Sequence, residues 1–184
     1  MEGDLILLAR VSGDVREALL RALSRHALDR RLGGMLFAPC NWHQSLSNRH
    51  RRQEEQALRH AGTLAAATAT AFDVVFNRFA SSTGPDGRIH WMACTRGAKP
   101  AGLTAVLDAV RTGLAASAIH ESSGHTGHVT LCYRAPEPLA ASLPIAPVPW
   151  TVDAVELVRA GGDPYRYTTL ERWALQPQRQ PALF

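Results

Sequence analysis

Short apolar-rich runs alternate along the chain with longer segments in which apolar residues recur every three or four positions. The short runs, such as "DLILLAR" at 4–10 and "IHWMACT" at 89–95, have the length and composition of strands. The longer segments, at 14–28, 51–69 and 99–113, predict amphipathic helices. Strands followed by helices and hairpins indicate an α+β fold with mainly antiparallel pairing.

The C-terminal third carries a different pattern. Residues 150–160 and 166–175 flank the turn sequence "GGDPY", and they predict a terminal hairpin. The stretch 134–149, "RAPEPLAASLPIAPVP", is too rich in proline for regular structure and predicts an ordered connection. We expect the tail, residues 176–184, to be frayed.

A four-residue pattern occurs twice, at positions 85 residues apart. His43-Gln44-Ser45-Leu46 and His128-Val129-Thr130-Leu131 each contain a histidine, one intervening residue, a hydroxyl residue and leucine. Sliding the chain by that offset also superposes the predicted strands and helices upstream. We therefore predict one domain, 1–184, made of two pseudo-symmetric lobes with repeat units at about 4–47 and 89–132.

The repeated pattern has a chemical meaning on a strand. Because residues i and i+2 share a face, His43 lies beside Ser45 and His128 beside Thr130. Gln44 then faces the core, where its amide needs partners. Two histidines facing one groove are suited to acid–base chemistry near neutral pH, and hydroxyls can donate to phosphate oxygens. The pattern predicts cleavage of a phosphodiester without a metal.

Composition and charge limit the compartment and the classes of partner, but they do not decide the function. The net charge is +4, the sequence pI is about 9.4, and Lys99 is the only lysine. An arginine-rich surface permits a nucleic-acid partner. The three cysteines form no CxxC pair, which favours a reducing compartment, and we expect a cytoplasmic protein without a secretory signal. No apolar run approaches the ~20 residues that span a bilayer, so no membrane partner is expected.

The paired tetrads, their place in a duplicated strand–helix unit and the ending "YTTLERWAL" resemble the 2H phosphoesterase superfamily with its HxTx motifs. The stretches "PCNWHQSLS" and "GHTGHVTLCY" are most similar to the 2′-5′ RNA ligase-like proteins, also described as RNA 2′,3′-cyclic phosphodiesterases. The resemblance implies a bilobal, duplicated fold in which two antiparallel sheets with outer helices surround a central groove. It also implies a monomer that hydrolyses RNA 2′,3′-cyclic phosphate ends to 2′-phosphates.

The resemblance assigns roles to individual residues. His43 is expected to protonate the departing 3′ oxygen, His128 to activate water, and Ser45 and Thr130 to hold the phosphate. No metal or other cofactor is implied. With an RNA 5′-hydroxyl in place of water, the same chemistry gives 2′-5′ ligation.

The chain departs from the family pattern in three ways: Ser45 replaces the commoner threonine, the stretch after the first motif differs, and Tyr133 stands where many relatives have arginine. Arg49 lies in "SNRHRRQEE", where relatives often continue with an aromatic-Leu-Gly stretch, and it is a candidate contact to the RNA backbone. Tyr133, expected by strand alternation on the face of His128 and Thr130, is a candidate for stacking on a base. Arg134 is a candidate phosphate contact.

Three alternatives remain open. His120, His125 and His128 in a glycine-containing loop allow a zinc site, although their spacing matches no standard motif. The chain could instead be a catalytically silent RNA-binding module. Its substrate could also be a cyclic nucleotide, ADP-ribose 1″,2″-cyclic phosphate, or a 3′ RNA end that is trimmed processively.

Overall fold

The computed structural model describes residues 4–84, 86–95, 97–121 and 125–178. The first elements are β1 (Leu5–Arg10), α1 (Gly13–Arg25), α2 (Leu28–Leu32), β2 (His43–Ser45), α3 (Glu55–Thr68) and β3 (Phe72–Thr83). They are followed by β4 (Ile89–Cys94), α4 (Ala101–Ala115), β5 (His128–Cys132), β6 (Leu143–Val152), β7 (Ala154–Gly161) and β8 (Arg166–Ala174).

Within these ranges, the strands form two four-stranded antiparallel sheets. The strand order is β2-β1-β7-β8 in the first sheet and β5-β4-β3-β6 in the second. Helix α3 packs against the first sheet, whereas α1 and α4 contact β6 and β3 of the second. The predicted α+β class is therefore confirmed. No helix in the described part of the chain is long and apolar enough to cross a membrane.

The helices α3 and α4, which pack on different sheets, contact each other closely. A Cβ atom at Gly113 of α4 would lie 2.5 Å from the Cα atom of Ala61 on α3, so only glycine fits there. The apolar stripe of α4 is buried, as its spacing predicts, through Leu103, Val106, Leu107, Val110 and Leu114. Each fully buried side chain of this kind contributes about 1.5–3 kcal/mol.

The C-terminal elements agree only in part with the sequence pattern. The hairpin of β7 and β8 is confirmed. The prediction of an irregular connection through 134–149 is wrong beyond residue 142, because Leu143–Val152 forms β6. Its prolines are tolerated because β6 is an edge strand with one hydrogen-bonded neighbour. Residues 150–152 also belong to β6, so the predicted first strand of the hairpin is divided between two sheets.

The two motif-bearing units have the same order of elements. In each, a strand and a helix precede a strand that returns antiparallel to the first: β1, α1 and β2, then β4, α4 and β5. This shared order supports the predicted repeat, which stays a prediction. In the predicted frayed tail, Gln176 pairs with Thr70 and its side chain donates to the Ala66 carbonyl. Residues 179–184 lie outside the described part.

Candidate active site

His43 is the first residue of β2, at the edge of the first sheet and opposite Arg10. Its Nδ1 lies 2.7 Å from the carbonyl oxygen of Asn41. Because a carbonyl oxygen only accepts, Nδ1 carries the proton and Nε2 is the remaining acceptor of the neutral ring. The residue is 6% exposed, and Tyr167 packs edge-to-face on it at 4.9 Å between ring centroids. These contacts fix the tautomer and orientation of His43.

His128 is the first residue of β5, at the edge of the second sheet and opposite Cys94. Its Nδ1 lies 3.0 Å from the carbonyl oxygen of Thr126, two residues earlier. The hydroxyl of Thr126 lies 3.2 Å from the same nitrogen. A carbonyl at position i−2 therefore orients both histidines, and it leaves Nε2 as the acceptor in both neutral rings.

Gln44 joins the two motifs. Its Oε1 accepts a hydrogen bond from the backbone N–H of His128 at 2.9 Å. Its Nε2 donates to the carbonyl of Thr126 at 3.1 Å and to that of Ser45 at 3.0 Å. The side chain is fully buried, and these bonds are the partners that its core-facing amide needs. Gln44 thereby fixes the start of β5 against β2.

Burial and positive charge hold both imidazoles neutral. The pKa of His43 is lowered to about 4, chiefly by burial and also by the charges of Arg10 and Arg49, although the bond to the Asn41 carbonyl raises it. The strands β2 and β5, which begin with His43 and His128, contact each other, and a charge on His128 also lowers the pKa of His43. Burial lowers the pKa of His128 as well, with a smaller effect from His90. At neutral pH the free site therefore has two proton acceptors.

A β-bulge brings Tyr133 to this side of the second sheet. Thr130 and Cys132 pair with consecutive residues of β4, which leaves Leu131 as an extra residue. Leu131 and Cys132 both pack in the core, and Tyr133 is hydrogen-bonded to the Thr130 side chain. Tyr133 lies on the predicted side, but the predicted reason is wrong. Regular alternation would have placed Cys132 beside His128 and Thr130.

A groove of about 550 Å³ opens beside the histidines, and Tyr167 both lines it and packs on His43. We call it the tyrosine groove, because it contains all three tyrosines of the chain. Phe37 makes edge-to-face or tilted contacts with each of these tyrosines. The lining combines aromatic rings with titratable side chains that are mostly basic: Phe37, Arg49, Asp86, Arg88, His90, Tyr133, Arg134, Tyr165 and Tyr167. Its volume and composition suit an aromatic ligand that carries negative charge.

Arg49 is held at the wall of the tyrosine groove. Its guanidinium donates to the hydroxyl of Tyr165 at 2.9 Å and to that of Tyr167 at 3.4 Å. It also pairs with the carboxylate of Asp4 at 3.3 Å. Because several partners restrain the guanidinium, Arg49 is positioned before any ligand binds.

The other predicted contacts occupy different surroundings. Thr130 is 8% exposed and is engaged with Tyr133, whereas Ser45 is less deeply buried, on β2 opposite Leu8. Arg134 is exposed and lines the tyrosine groove. The structure thus collects Arg49, Tyr133 and Arg134 at one groove, with Thr130 bonded to Tyr133.

Sequence reasoning missed several residues of this region. Arg10 stands opposite His43, as Cys94 stands opposite His128, and its guanidinium pairs with Glu156 at 3.0 Å. The sequence pattern assigns Tyr165 and Tyr167 only to the terminal hairpin. The two tyrosines at the end of the turn sequence "GGDPYRY" were the available signal. The position of Arg10 depends on strand pairing, which the sequence does not reveal.

The zinc alternative lacks a suitable arrangement of ligands. Among the described residues, no group of three His, Cys, Asp or Glu side chains is placed to hold a metal ion. His120 is exposed and His125 is partly buried. The Nδ1 atom of His128 is already engaged by Thr126.

A family model described as the 2′-5′ RNA ligase superfamily matches residues 35–164, more than half of the 184-residue chain. The chain belongs to this superfamily. The match includes both histidine tetrads, and it confirms the resemblance to 2H phosphoesterases found in the sequence. No curated protein matches the chain significantly.

Solved structures share the fold of this 2′-5′ RNA ligase superfamily member. Escherichia coli LigT in its apo form is 21% identical, with a TM-score of 0.72 over 95% of this chain and 98% of that one. The protein TT0787 of Thermus thermophilus is 22% identical, with a TM-score of 0.72 over 96% and 100% of the two chains. LigT complexed with 3′-AMP is 22% identical, with a TM-score of 0.69 over 95% and 98%. These similarities confirm the predicted arrangement of two antiparallel sheets with outer helices.

Proposed function

We propose that this chain hydrolyses 2′,3′-cyclic phosphate ends of RNA to 2′-phosphates. The observation that carries the proposal is the pair of imidazoles on the contacting strands β2 and β5, each held through Nδ1 by an i−2 carbonyl and each with Nε2 as its remaining acceptor. Membership of the 2′-5′ RNA ligase superfamily supports it, as does the complex of LigT with 3′-AMP. The tyrosine groove offers aromatic rings for a base beside the histidines.

In the proposed reaction, His128 takes a proton from water and the water oxygen attacks phosphorus. The bond between phosphorus and the 3′ oxygen breaks, and His43 gives that oxygen a proton. Ser45 and Thr130 donate hydrogen bonds to the non-bridging phosphate oxygens. The protons balance, because one histidine gains the proton that the other loses. An RNA 5′-hydroxyl in place of water gives a 2′-5′ linkage by the same steps.

These roles require opposite protonation states, whereas the free site holds both rings neutral. A bound phosphate anion offsets the positive charges of Arg10 and Arg49 and raises the pKa of His43. Binding of a nucleoside 2′-phosphate at neutral pH should therefore take up a proton. Calorimetry in buffers of different ionisation enthalpy measures this uptake, and His43→Gln should abolish it.

The function is tested by a panel of cyclic phosphates offered to the wild type and to the double variant with His43→Ala and His128→Ala. We expect the wild type to cleave an oligonucleotide ending in a 2′,3′-cyclic phosphate, and the double variant to be inactive. His60→Ala, which changes an exposed histidine of α3, is the matched control. If the wild type cleaves only a cyclic nucleotide or only ADP-ribose 1″,2″-cyclic phosphate, that compound and not RNA is the substrate. RNA binding without turnover, unchanged by His43→Ala, would identify a binding module instead.

A further inference from the structure

A second cavity contains two buried polar atoms without partners. Within the described residues, neither Oδ1 of Asn77 nor Nε of Arg78 has a hydrogen-bond partner. Both residues line a cavity of about 330 Å³ together with Ser142 and Pro144. A buried polar atom that stays unpaired costs about 1–3 kcal/mol. Two such atoms, on residues that line the same cavity, indicate a ligand that supplies their partners.

The cavity owes its shape to an irregularity between β3 and β6. Phe76 pairs with Val148 and Arg78 with Pro144, so the three residues 145–147 stand opposite Asn77 alone. The excess chain of β6 bulges away from β3 and leaves Asn77 without a regular neighbour. Ser142 and Pro144 are exposed, so the cavity opens to solvent. A ligand can therefore reach it from outside.

Strand register places this cavity on the same face as His128. Cys94 pairs with His128 on one side and with Arg78 on the other, and directly paired residues of antiparallel strands share a face. Burial raises the pKa of the Cys94 thiol, and the nearby charge of Arg78 opposes that shift. Two strand spacings, on the order of 10 Å, separate the backbones of His128 and Arg78.

The two cavities lie in different directions from His128. The tyrosine groove is reached along β5 through Thr130 and Tyr133, whereas the Asn77–Arg78 cavity is reached across β4. The lining of the second cavity contains no carboxylate among the described residues. The cavity therefore favours an anion. It lies within the length of one nucleotide of the proposed reaction centre.

We propose that the Asn77–Arg78 cavity binds the ribose and phosphate of the penultimate RNA nucleotide, which adjoins the nucleotide that carries the cyclic phosphate. A phosphate oxygen accepts from the Arg78 guanidinium, and a ribose 2′-hydroxyl donates to Oδ1 of Asn77. The substrate is then an oligoribonucleotide that occupies both cavities, rather than a single cyclic nucleotide. This inference rests on the proposed function, because it takes the histidines as the reaction centre.

The first test compares a nucleoside 2′,3′-cyclic phosphate with a trinucleotide ending in the same cyclic phosphate. Arg78→Gln should lower kcat/KM for the trinucleotide about tenfold, the usual scale for a charged hydrogen bond. For the mononucleotide it should change kcat/KM less than about twofold, since no phosphate then reaches Arg78. Arg25→Gln, which removes an exposed charge on α1, is the matched control. Equal losses on both substrates, or no loss on the trinucleotide, would overturn the proposal.

Binding gives a readout that does not depend on turnover. The Kd of a trinucleotide with a plain 3′-phosphate should weaken in Arg78→Gln, and the slope of log Kd against log salt should fall by about 0.7. Arg78→Lys keeps the charge and should keep the slope. If the wild type cleaves no cyclic phosphate, the proposed function fails, and this binding result still decides whether the cavity holds RNA.

The role of Asn77 is tested by pairing a variant with a modified substrate. Removing the 2′-hydroxyl of the penultimate nucleotide should weaken binding several-fold in the wild type. In Asn77→Ala the same removal should have little effect, because the partner atom is already absent. An unchanged effect of the deoxy substitution in Asn77→Ala would contradict the assigned contact.

Discussion

The two histidines have the same local geometry in different surroundings. Each begins a strand at the edge of its sheet, and each is oriented by the carbonyl of residue i−2. His43 is deeply buried, and positive charge from Arg10 and Arg49 acts on it. His128 is less buried and is bonded through its backbone to Gln44.

The comparison separates what the short motif does from what the rest of the fold does. The motif sets the tautomer, because the i−2 carbonyl belongs to the same few residues. Elements distant in sequence set the affinity for a proton, through burial and through the charge of Arg10. Bound phosphate raises the pKa of His43 again, and the protonated ring that results can give its proton to the departing oxygen in the proposed reaction.

The largest expected effect comes from removing either histidine. His43→Ala and His128→Ala should each lower kcat/KM by ~10² or more on a cyclic-phosphate oligonucleotide. On an analogue with a 4-nitrophenolate leaving group, which departs without a proton, His43→Ala should recover most of its activity and His128→Ala should not. Steady-state rates on the two substrates measure the difference. Equal recovery in both variants would contradict the assignment of acid and base.

The link between the motifs is broken by Gln44→Leu. The change leaves the backbone N–H of His128 without its acceptor, so the free energy of unfolding should fall by about 1–3 kcal/mol. The rate should fall about tenfold as His128 loses its fixed position. Denaturant unfolding and kcat measure the two effects, with Gln53→Leu at an exposed position as the control. A stability loss with unchanged kcat and pH–rate profile would show that Gln44 is only structural.

The buried environment of His43 predicts a dependence of stability on pH. Its native pKa of about 4 lies below the unfolded value of 6.5, so the stabilisation is present above pH 6.5 and is lost as the pH falls toward 4. By pH 5 the loss should reach about 2 kcal/mol relative to pH 7. His43→Gln should remove this contribution, as unfolding at both pH values measures. If His43→Gln loses as much unfolding free energy between pH 7 and pH 5 as the wild type does, other groups cause the loss.

His50, seven residues away, predicts the opposite dependence. It lies 3.0 Å from the carboxylate of Glu121, and this bond raises its pKa. Its stabilisation is therefore present below the unfolded pKa of 6.5 and is lost as the pH rises through the higher native value. In His50→Gln the free energy of unfolding should depend less on pH above 6.5. If the free energy of unfolding depends on pH above 6.5 as strongly in His50→Gln as in the wild type, the pair of His50 and Glu121 is not the source of that dependence.

The hydroxyl residues should give the smallest effects. Ser45→Ala should lower kcat/KM a few-fold, because one hydrogen bond to phosphate is lost. Thr130→Val should cost more, since the Thr130 side chain also holds Tyr133 at the groove. Steady-state kinetics with the folded variants distinguishes them. Identical losses would indicate that the contact with Tyr133 has no part in substrate binding.

Local patterns predicted a large part of the fold. Periodicity identified the helices α1, α3 and α4, the repeated tetrads identified the motif strands, and the turn sequence identified the last hairpin. These features depend on residues close in sequence. The error at β6 arose because proline was weighed against any strand, although an edge strand tolerates it. The assignment of residues 150–152 failed because a change of sheet leaves no local pattern.

The candidate site was predictable to the extent that it repeats. The two tetrads identified both histidines and their hydroxyl neighbours, and Gln44 was recognised as an amide that needs partners. Its partners are supplied by the other motif, which only the packing of β2 against β5 reveals. Arg10 and the Asn77–Arg78 cavity depend on strand register and on bulges, and neither leaves a mark in a single sequence.

The prolines of β6 have a consequence beyond the cavity that they border. Pro144, Pro147 and Pro149 lack N–H groups and so interrupt the row of backbone donors along β6, which is an edge strand of the second sheet. Another extended polypeptide therefore finds few donors with which to continue the sheet there. The margin beside Arg78 is thereby protected against accidental strand addition and left accessible to a polymer that binds through its phosphates.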